Sequence, residues 1–247
     1  MEYNNNFFFD EASEFYNSMI NSESLIDKRV KLFTELTIKN GIVADLGCGS
    51  GIDSVALSRC GNIVDAFDPS TKMIELAKTS VAGSKGNIDF HNFSIENIPE
   101  QFNEKYSFVC SLGNTIANID SNKLILAFQK AKEILQSNGQ ALFHILNYDL
   151  ILSKKQRIVN ITSSDAIQFI RFYDFLDNHV IFNILKISQN NLNEHKLIST
   201  KLFPHTFETI FTVLSKINFS ELRFYGGFNF EEFDVRKSKD LLISVTR

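Results

Sequence analysis

A cluster of three glycines between two apolar runs constrains this chain more than any other feature. In VADLGCGSGIDSVAL, residues 43–57, Gly47, Gly49 and Gly51 separate a short apolar strand from the start of a helix. Glycine loses more conformational freedom on folding than other residues, so such a cluster requires a reason. The turn is either a tight strand-to-helix connection or a surface without side chains for a ligand. The N-terminus of the following helix offers free N–H groups to an anionic or polar ligand group.

Helical and strand patterns alternate from residue 23 to residue 147, which predicts βαβ crossovers and a parallel sheet. Ser70 or a neighbouring residue is expected to cap the helix after the second strand. A later helix, SNKLILAFQKAKEILQS, is expected to be capped by Ser121 and to stop near Gly139. The strand QALFHILN follows it.

Four consecutive strand-like runs with no helix between them come next: RIVNITS, AIQFIRFYDF, HVIFNILKIS and HKLISTKLF. Turn residues in NHV and QNNLNEH indicate antiparallel hairpins. The helical run TFETIFTVLSKI and two more strands close the chain. We therefore predict one domain over residues 1–247, a Rossmann-like, doubly wound α/β sheet of seven strands. An antiparallel β insertion is expected after strand five, over residues 153–203, where it would cover a ligand site at the strand ends.

Composition excludes several classes of protein. The chain is 44% hydrophobic and 22% charged, which is typical of a globular protein. It contains no apolar run long enough for a membrane span, and its acidic N-terminus is not that of a secretory signal. A net charge of −4 is unlike the basic surface of a nucleic-acid binder. Three cysteines without metal-ligand spacing predict neither disulfides nor a metal site. We expect a cytoplasmic protein with a small-molecule partner and no nucleic-acid or membrane partner; a homodimer is an open alternative.

Two acidic residues accompany the glycine turn. Asp45 ends the first strand, where it can accept hydrogen bonds from a ligand or fix the turn. Asp68 ends the second strand, where a Rossmann-type fold places the carboxylate that holds ribose hydroxyls. Dinucleotide sites require G-x-G-x-x-G, but Ile52 occupies the third glycine position here and the glycines fall as G-x-G-x-G. This departure weakens a nicotinamide or flavin interpretation.

At this point the chain resembles the class I S-adenosylmethionine-dependent methyltransferases. The resemblance covers VADLGCGSG, VDAFDPSTKMIELAK, NIDFHNFSIENIP and YSFVCSLGNTIANI in that order. Within the class, SLGNTIANI and FHILNYDLIL look most like glycine N-methyltransferase and its small-molecule relatives. The resemblance implies S-adenosyl-L-methionine as the cofactor and S-adenosyl-L-homocysteine as its product.

The resemblance also implies a set of cofactor contacts. Asp45, Gly47, Cys48 and Gly49 would lie along the methionine end. Asp68 would bind both ribose hydroxyls, Pro69 would belong to the same site, and Met73 would pack beside the adenine. The adenine would be framed by Phe93, Ser94 and Ile95, and Ser111 and Leu112 would close the site near the sulfonium. Ser94 departs from the family, since many relatives carry an acid there.

Residues of the fifth strand and its end are candidates for catalysis. Asn147 could orient an acceptor amine through its side-chain carbonyl, or it could cap a short helix in YDLIL. His144 could act as a general base or could be a hydrogen-bonded core residue. Tyr148 or His144 would assist if the acceptor were a hydroxyl. Arg171, in the aromatic run FIRFYDF, has two alternative roles: it holds a substrate carboxylate, or it lies on a solvated face of the sheet.

The N-terminal residues 1–40 are expected to form a helical cap, which would serve either as a lid over the cofactor or as a packed helix. We predict methyl transfer from S-adenosyl-L-methionine to a small molecule, with nitrogen favoured over oxygen. The alternatives outside this activity are an NAD-dependent oxidoreductase and a catalytically silent cofactor-binding protein.

Overall fold

The computed structural model describes residues 5–20, 22–81, 86–177 and 179–247. Within these ranges the α-helices are α1 Asn5–Ala12, α2 Tyr16–Met19, α3 Ser22–Glu35, α4 Ile52–Arg59, α5 Thr71–Val81, α6 Leu124–Ile134, α7 Tyr148–Lys154 and α8 Phe207–Ser215. Short 3₁₀ turns occur at Ile95–Asn97, Glu100–Phe102 and Thr115–Asn118. None of these helices is long and apolar enough to cross a membrane.

The strands form two sheets. Their bounds are β1 Ile42–Leu46, β2 Ile63–Phe67, β3 Ile88–His91, β4 Tyr106–Ser111, β5 Leu135–Leu146, β6 Ile158–Ser164, β7 Ile167–Phe175, β8 Val180–Ser188, β9 His195–Leu202, β10 Glu221–Tyr225 and β11 Asp240–Thr246. The main sheet has the order β10-β11-β5-β4-β1-β2-β3. Strands β1 to β5 are parallel, and β11 is antiparallel to both β5 and β10. The predicted doubly wound sheet of seven strands is confirmed.

The two faces of the main sheet carry separate hydrophobic clusters because successive side chains of a strand point to opposite faces. Val43 of β1 packs with α3 and α4, in a cluster that includes the fully buried Phe33. The next residue, Ala44, faces the other cluster, to which α6 and α8 contribute Phe128 and Leu214. Because helices cover both faces of the sheet, the region open to a ligand is at the carboxyl ends of the parallel strands.

The second sheet has the order β6-β7-β8-β9 and is antiparallel throughout. It follows α7, so the predicted antiparallel insertion after strand five is confirmed. One face packs on the N-terminal helices through Phe169, Ile184 and Ile198. The predicted turn at NHV includes residue 178, which lies outside the described residues.

The N-terminal segment lies between the two sheets. Residues 1–4 and 21 of the predicted cap lie outside the described residues, and the rest forms α1, α2 and α3. Phe8 meets Phe182 of β8 edge-on, with ring centroids 6.1 Å apart, and Phe15 stacks on Phe169 of β7 at 5.5 Å. These ring contacts attach α1 and α2 to the insertion.

The boundaries of α6 differ from the sequence prediction. The helix begins at Leu124 rather than after Ser121, because Asp120 forms the preceding turn by accepting the backbone N–H of Asn122 at 2.9 Å. It ends at Ile134, since Leu135 already pairs with Tyr106 in the sheet. The predicted cap at Ser70 is confirmed, since its hydroxyl accepts the N–H of Met73 at 3.1 Å.

A buried carboxylate joins three strands of the main sheet. Asp65 of β2 accepts from Tyr106 Oη at 2.9 Å and from Lys105 Nζ at 2.5 Å, and it lies 2.8 Å from His91 Nε2. Burial raises the pKa of Asp65, but hydrogen bonds from Lys105, His91 and Tyr106 outweigh burial and hold this pKa below its usual value.

We expect Asp65→Asn to destabilise the fold by about 1.5–3 kcal/mol at pH 7, because a charged acceptor of several hydrogen bonds is lost. The folded-state pKa is lower than the unfolded one, so this stabilisation is present above about pH 4 and is lost as the pH falls through the folded-state pKa. Urea unfolding of both proteins between pH 3 and pH 7 measures the difference. A difference in unfolding free energy that did not shrink in acid would contradict this account.

Candidate cofactor and acceptor sites

The glycine turn folds back onto the end of β2. Gly47, Gly49 and Gly51 all have left-handed φ angles, of 73°, 52° and 86°. The N–H groups of Gly47 and Cys48 both donate to the carbonyl of Phe67, at 2.7 and 3.0 Å. Left-handed backbone is what glycine adopts without steric cost, so the cluster serves the geometry of the turn itself.

Two of the glycines also differ in their surroundings. A Cβ atom at Gly47 would lie 2.2 Å from Thr115 Cγ2, so only hydrogen fits there. A Cβ atom at Gly49 would meet nothing within 4 Å. Gly49 therefore presents bare backbone to open space, which is the surface for a ligand that the sequence predicted as one of two alternatives.

Asp68 lies beside this turn. Its Oδ2 accepts the N–H of Gly49 at 2.9 Å, and its Oδ1 accepts the N–H of Ser70 at 2.8 Å. Burial raises the pKa of Asp68 to about 6, and the two backbone donors act against that rise. The carboxylate is thus aimed at the turn and is ionised at neutral pH.

A cavity of about 220 Å³, which we call the turn cavity, lies against these groups. Seven of the predicted cofactor residues line it: Gly47, Cys48, Gly49, Asp68, Pro69, Met73 and Leu112. Burial raises the pKa of the Cys48 thiol, so this side chain is an uncharged part of the wall.

A larger cavity of about 820 Å³, the outer cavity, adjoins the turn cavity and shares Gly47, Pro69 and Thr115 with it. Phe93, Ser94 and Ile95 line it, as the adenine end of the predicted site requires. The hydroxyl of Ser94 accepts a hydrogen bond from the Asn97 side chain at 2.8 Å. Glu96 lines the same cavity and is paired with Lys123 at 3.0 Å, so an acid is present close to the position where the sequence lacks one.

Asp45 and Ser111 lie behind the turn rather than in the cavities. Asp45 is 1% exposed and accepts from the Ser54 hydroxyl at 2.6 Å, and burial raises its pKa to about 8. The Ser111 hydroxyl donates to the carbonyl of Leu46 at 2.8 Å. Neither side chain lines a cavity, and both hold the turn from the side away from the cavities.

An ion pair that the sequence analysis missed completes the turn cavity. Arg29 Nε of α3 lies 2.8 Å from Asp53 Oδ1 of α4, and both side chains line the cavity. The guanidinium also lies 4.1 Å from the centre of the Phe228 ring. Arg29 follows Ile26 by three residues, so helical spacing on the buried face of α3 was the signal for it.

A third cavity of about 290 Å³, the insertion cavity, lies between α1, the insertion and the ends of β4 and β5. It shares Phe9, Tyr16, Ile20, Gly113 and Asn118 with the turn cavity. Residues of β7, β8 and β9 form its far wall, so the insertion supplies a surface that the main sheet alone does not have. Arg171 lies half-buried in this wall rather than on a solvated face, which was one of its two predicted positions.

Asn147 is a structural residue. Its Oδ1 accepts the N–H of Leu150 at 3.3 Å and caps α7, while its Nδ2 donates to the carbonyls of Val235 and Ser238 at 2.9 and 2.8 Å. With 2% exposure, the amide is committed to these groups. The prediction that Asn147 orients an acceptor is therefore corrected in favour of the helix cap.

His144 lines the insertion cavity, but both of its ring nitrogens are engaged. Nδ1 accepts the N–H of Asn114 at 3.3 Å, so Nε2 carries the proton toward Asp240 Oδ1 at 2.9 Å. Tyr148 is 1% exposed, and its hydroxyl accepts from the Asn114 amide at 3.1 Å. Burial raises the pKa of Tyr148, so its hydroxyl keeps its proton. Because the ring nitrogens of His144 are both hydrogen-bonded, neither residue is a free base in this arrangement.

The fold is that of the class I S-adenosylmethionine-dependent methyltransferases. Residues 43–139 match the model of a family described as a methyltransferase domain. The matched segment contains the glycine turn, Asp68 and the adenine-side residues. S-adenosyl-L-methionine is the cofactor of the class, and the bare backbone at Gly49 beside the Asp68 carboxylate fits it.

Two curated relatives match part of the chain. A ubiquinone biosynthesis O-methyltransferase of Hydrogenovibrio crunogenus is 25% identical over 161 residues, which are 63% of this chain and 64% of that protein. Human glycine N-methyltransferase is 27% identical over 125 residues, 45% of this chain and 42% of that protein. The chain thus spans less than two thirds of the length of these relatives.

Solved structures agree in fold over almost the whole chain. An S-adenosylmethionine-dependent methyltransferase of Clostridium acetobutylicum gives a TM-score of 0.77 at 16% identity, covering 96% of this chain and 98% of that one. The S-adenosylmethionine-bound amino pentose methyltransferase CalS10 of Micromonospora echinaspora gives 0.63 at 10% identity, covering 93% and 91%.

The two glycines offer a matched test of the turn. Alanine at Gly47 or Gly49 adopts a left-handed conformation at a cost of roughly 1–2 kcal/mol, but only Gly47→Ala also collides with Thr115. We expect Gly47→Ala to lower the melting temperature clearly more than Gly49→Ala does. Thermal unfolding followed by circular dichroism compares them, and equal melting temperatures would show that contact with Thr115 is not limiting.

Proposed function

We propose that the protein transfers a methyl group from S-adenosyl-L-methionine to a nitrogen of a small molecule. The observation that carries this proposal is the adjacency of two cavities of different character. The turn cavity has the backbone cradle and carboxylate suited to the cofactor, and the insertion cavity shares five lining residues with it. An acceptor in the second cavity would therefore lie next to a cofactor in the first.

The turn cavity offers a complementary group to each polar part of the cofactor. Asp68 would accept from the ribose hydroxyls, since its carboxylate lines the cavity. The Arg29–Asp53 pair presents one positive and one negative group, which suit the carboxylate and ammonium of the methionine end. Phe93 and Ile95 would enclose the adenine, with Glu96 rather than Ser94 as the acidic partner on that side.

S-adenosyl-L-methionine supplies a methyl carbon that its sulfonium already makes electrophilic, so the protein needs no nucleophile. The chain's residues instead have to align the acceptor and exclude water, which together contribute up to roughly 7–11 kcal/mol in well-oriented systems. Phe9 and Tyr16 suit this task, because they lie between the two cavities.

Nitrogen is favoured because a neutral amine needs no base before it attacks. A hydroxyl does need one, and the ring nitrogens of His144 are already occupied by Asn114 and Asp240. Transfer to oxygen is the second candidate: the bond from Asn114 is long, at 3.3 Å, and its loss would leave a His144–Asp240 pair facing the cavity. The ubiquinone biosynthesis O-methyltransferase relative also supports this candidate.

Calorimetric titration with S-adenosyl-L-methionine and with NAD tests the cofactor assignment. We expect saturable binding of the first and none of the second. A radiolabelled methyl-transfer assay with pooled amines and pooled phenols then separates nitrogen from oxygen acceptors. Binding without transfer to any pool would support the silent cofactor-binding protein instead.

The raised pKa of Asp68 predicts a pH dependence of cofactor binding. Protonation removes an acceptor for the ribose hydroxyls, so the ionised form binds more tightly. Affinity should stay constant above about pH 6 and fall below it, by up to ~10-fold per pH unit. Titration with S-adenosyl-L-homocysteine between pH 5 and pH 8 measures this. Asp68→Asn, the matched control, should bind weakly with no such dependence; a wild-type affinity flat across this range would exclude the role.

A further inference from the structure

Arg171 occupies an unusual position for a charged side chain. It lies in the middle of β7 and lines the insertion cavity, where Tyr16 and Tyr173 are its neighbours. Its Nε donates to Asn160 Oδ1 of the adjacent strand β6 at 2.5 Å. This bond fixes the plane of the guanidinium and leaves its two terminal nitrogens for another partner.

No described residue supplies that partner. Among residues 5–20, 22–81, 86–177 and 179–247, Arg171 forms no ion pair, and its terminal nitrogens donate no hydrogen bond. Neighbouring Arg157, by contrast, is paired with Asp174. A partly buried charge without a counter-ion is costly, and burial lowers the pKa of Arg171 accordingly. An anion in the cavity would offset this cost by pairing with the guanidinium charge.

The other lining residues of the insertion cavity indicate the character of the rest of the ligand. No aspartate or glutamate is among its described lining residues, so Arg171 is the one side chain there with a permanent charge. Most of the other lining residues are apolar or aromatic, among them Phe8, Met19, Phe182 and Ile184. Asn114, Asn118 and Thr200 add uncharged polar groups. The volume of about 290 Å³ is at the small end of ligand sites.

We propose that Arg171 binds a carboxylate of the methyl acceptor, so that the acceptor is a small amino acid with an apolar body. This inference rests on the proposed function and names its substrate class. A planar guanidinium with two free terminal nitrogens matches a carboxylate through two parallel hydrogen bonds. A single positive charge also balances a carboxylate, whereas a phosphate dianion requires more.

The position of Arg171 also orients the acceptor. Arg171 lies in the insertion wall, while Gly113 and Asn118 belong to both cavities and form the side next to the cofactor. With its carboxylate on the insertion side, the acceptor extends its amine toward Gly113 and Asn118. The ammonium group of the acceptor would first lose a proton to solvent. The nitrogen lone pair would then bond to the methyl carbon as the bond from that carbon to sulfur breaks, leaving a methylated ammonium and S-adenosyl-L-homocysteine.

Matched acceptor pairs test this assignment by kinetics. Leucine and phenylalanine are each compared with their decarboxylated amines, isopentylamine and phenethylamine. We expect the wild type to prefer the amino acids, and Arg171→Gln to lower their kcat/KM roughly ten- to hundredfold while leaving that of the amines unchanged. Arg171→Lys, which keeps the charge but loses the planar fork, should give an intermediate loss. Transfer that ignores the carboxylate in the wild type would overturn the proposal and leave methyl transfer intact.

Binding provides a second test that does not depend on turnover. Phenylacetate and its neutral counterpart 2-phenylethanol are titrated into protein saturated with S-adenosyl-L-homocysteine, or into free protein if that ligand does not bind. We expect saturable binding of phenylacetate only, and its loss in Arg171→Gln. Arg223→Gln, which removes an exposed arginine of β10, is the charge-matched control and should bind like the wild type.

The outcomes separate the two proposals. Failure to bind S-adenosyl-L-methionine would refute the proposed function. Equal binding of phenylacetate by wild type and Arg171→Gln, or none by either, would refute the role of Arg171. Thermal unfolding of each variant shows whether a loss reflects the missing guanidinium or a damaged fold; if Arg171→Gln is unfolded, Arg171→Lys carries the comparison.

Discussion

The geometry of the candidate cofactor site depends on the carbonyl oxygen of Phe67. It accepts the N–H groups of both Gly47 and Cys48, and so ties the turn after β1 to the end of β2. Because the chain bends back there, the N–H of Gly49 meets Asp68 and the backbone faces the turn cavity. Only a left-handed residue without a side chain satisfies this geometry at Gly47, where Thr115 leaves no room for a Cβ atom. The requirements of the turn and of the ligand surface are therefore met by the same residues.

Most of the fold could be predicted from the sequence because its signals are local. The alternation of apolar strands with amphipathic helices, the glycine turn, and four strand-like runs after residue 153 each carry their own pattern within a few residues. The end of α6 could not be predicted in this way. Leu135 leaves the helix because Tyr106 pairs with it across the sheet, and that partner is distant in sequence.

The same distinction holds for the candidate site. Gly47, Gly49 and Asp68 lie in a motif, and the sequence placed them at one edge of the sheet. Asn147 was ambiguous, since the carbonyls that hold its amide belong to Val235 and Ser238, far along the chain. The state of His144 likewise depends on Asp240, and the orientation of Arg171 on Asn160. A side chain's role was open wherever its hydrogen-bond partners came from another element.

Helix α1 makes the two halves of the site depend on each other. Asn5 donates to the carbonyl of Asn118 at 3.2 Å and accepts from Thr200 of β9 at 2.6 Å, so it joins the main sheet to the insertion. Asp10, five residues further along α1, accepts from the hydroxyl of Ser70 at 2.6 Å, two residues after Asp68. Between these anchors, Phe9 lines all three cavities. A change in the position of α1 therefore alters the cofactor side and the acceptor side together, which means that water exclusion from one cannot be adjusted independently of the other.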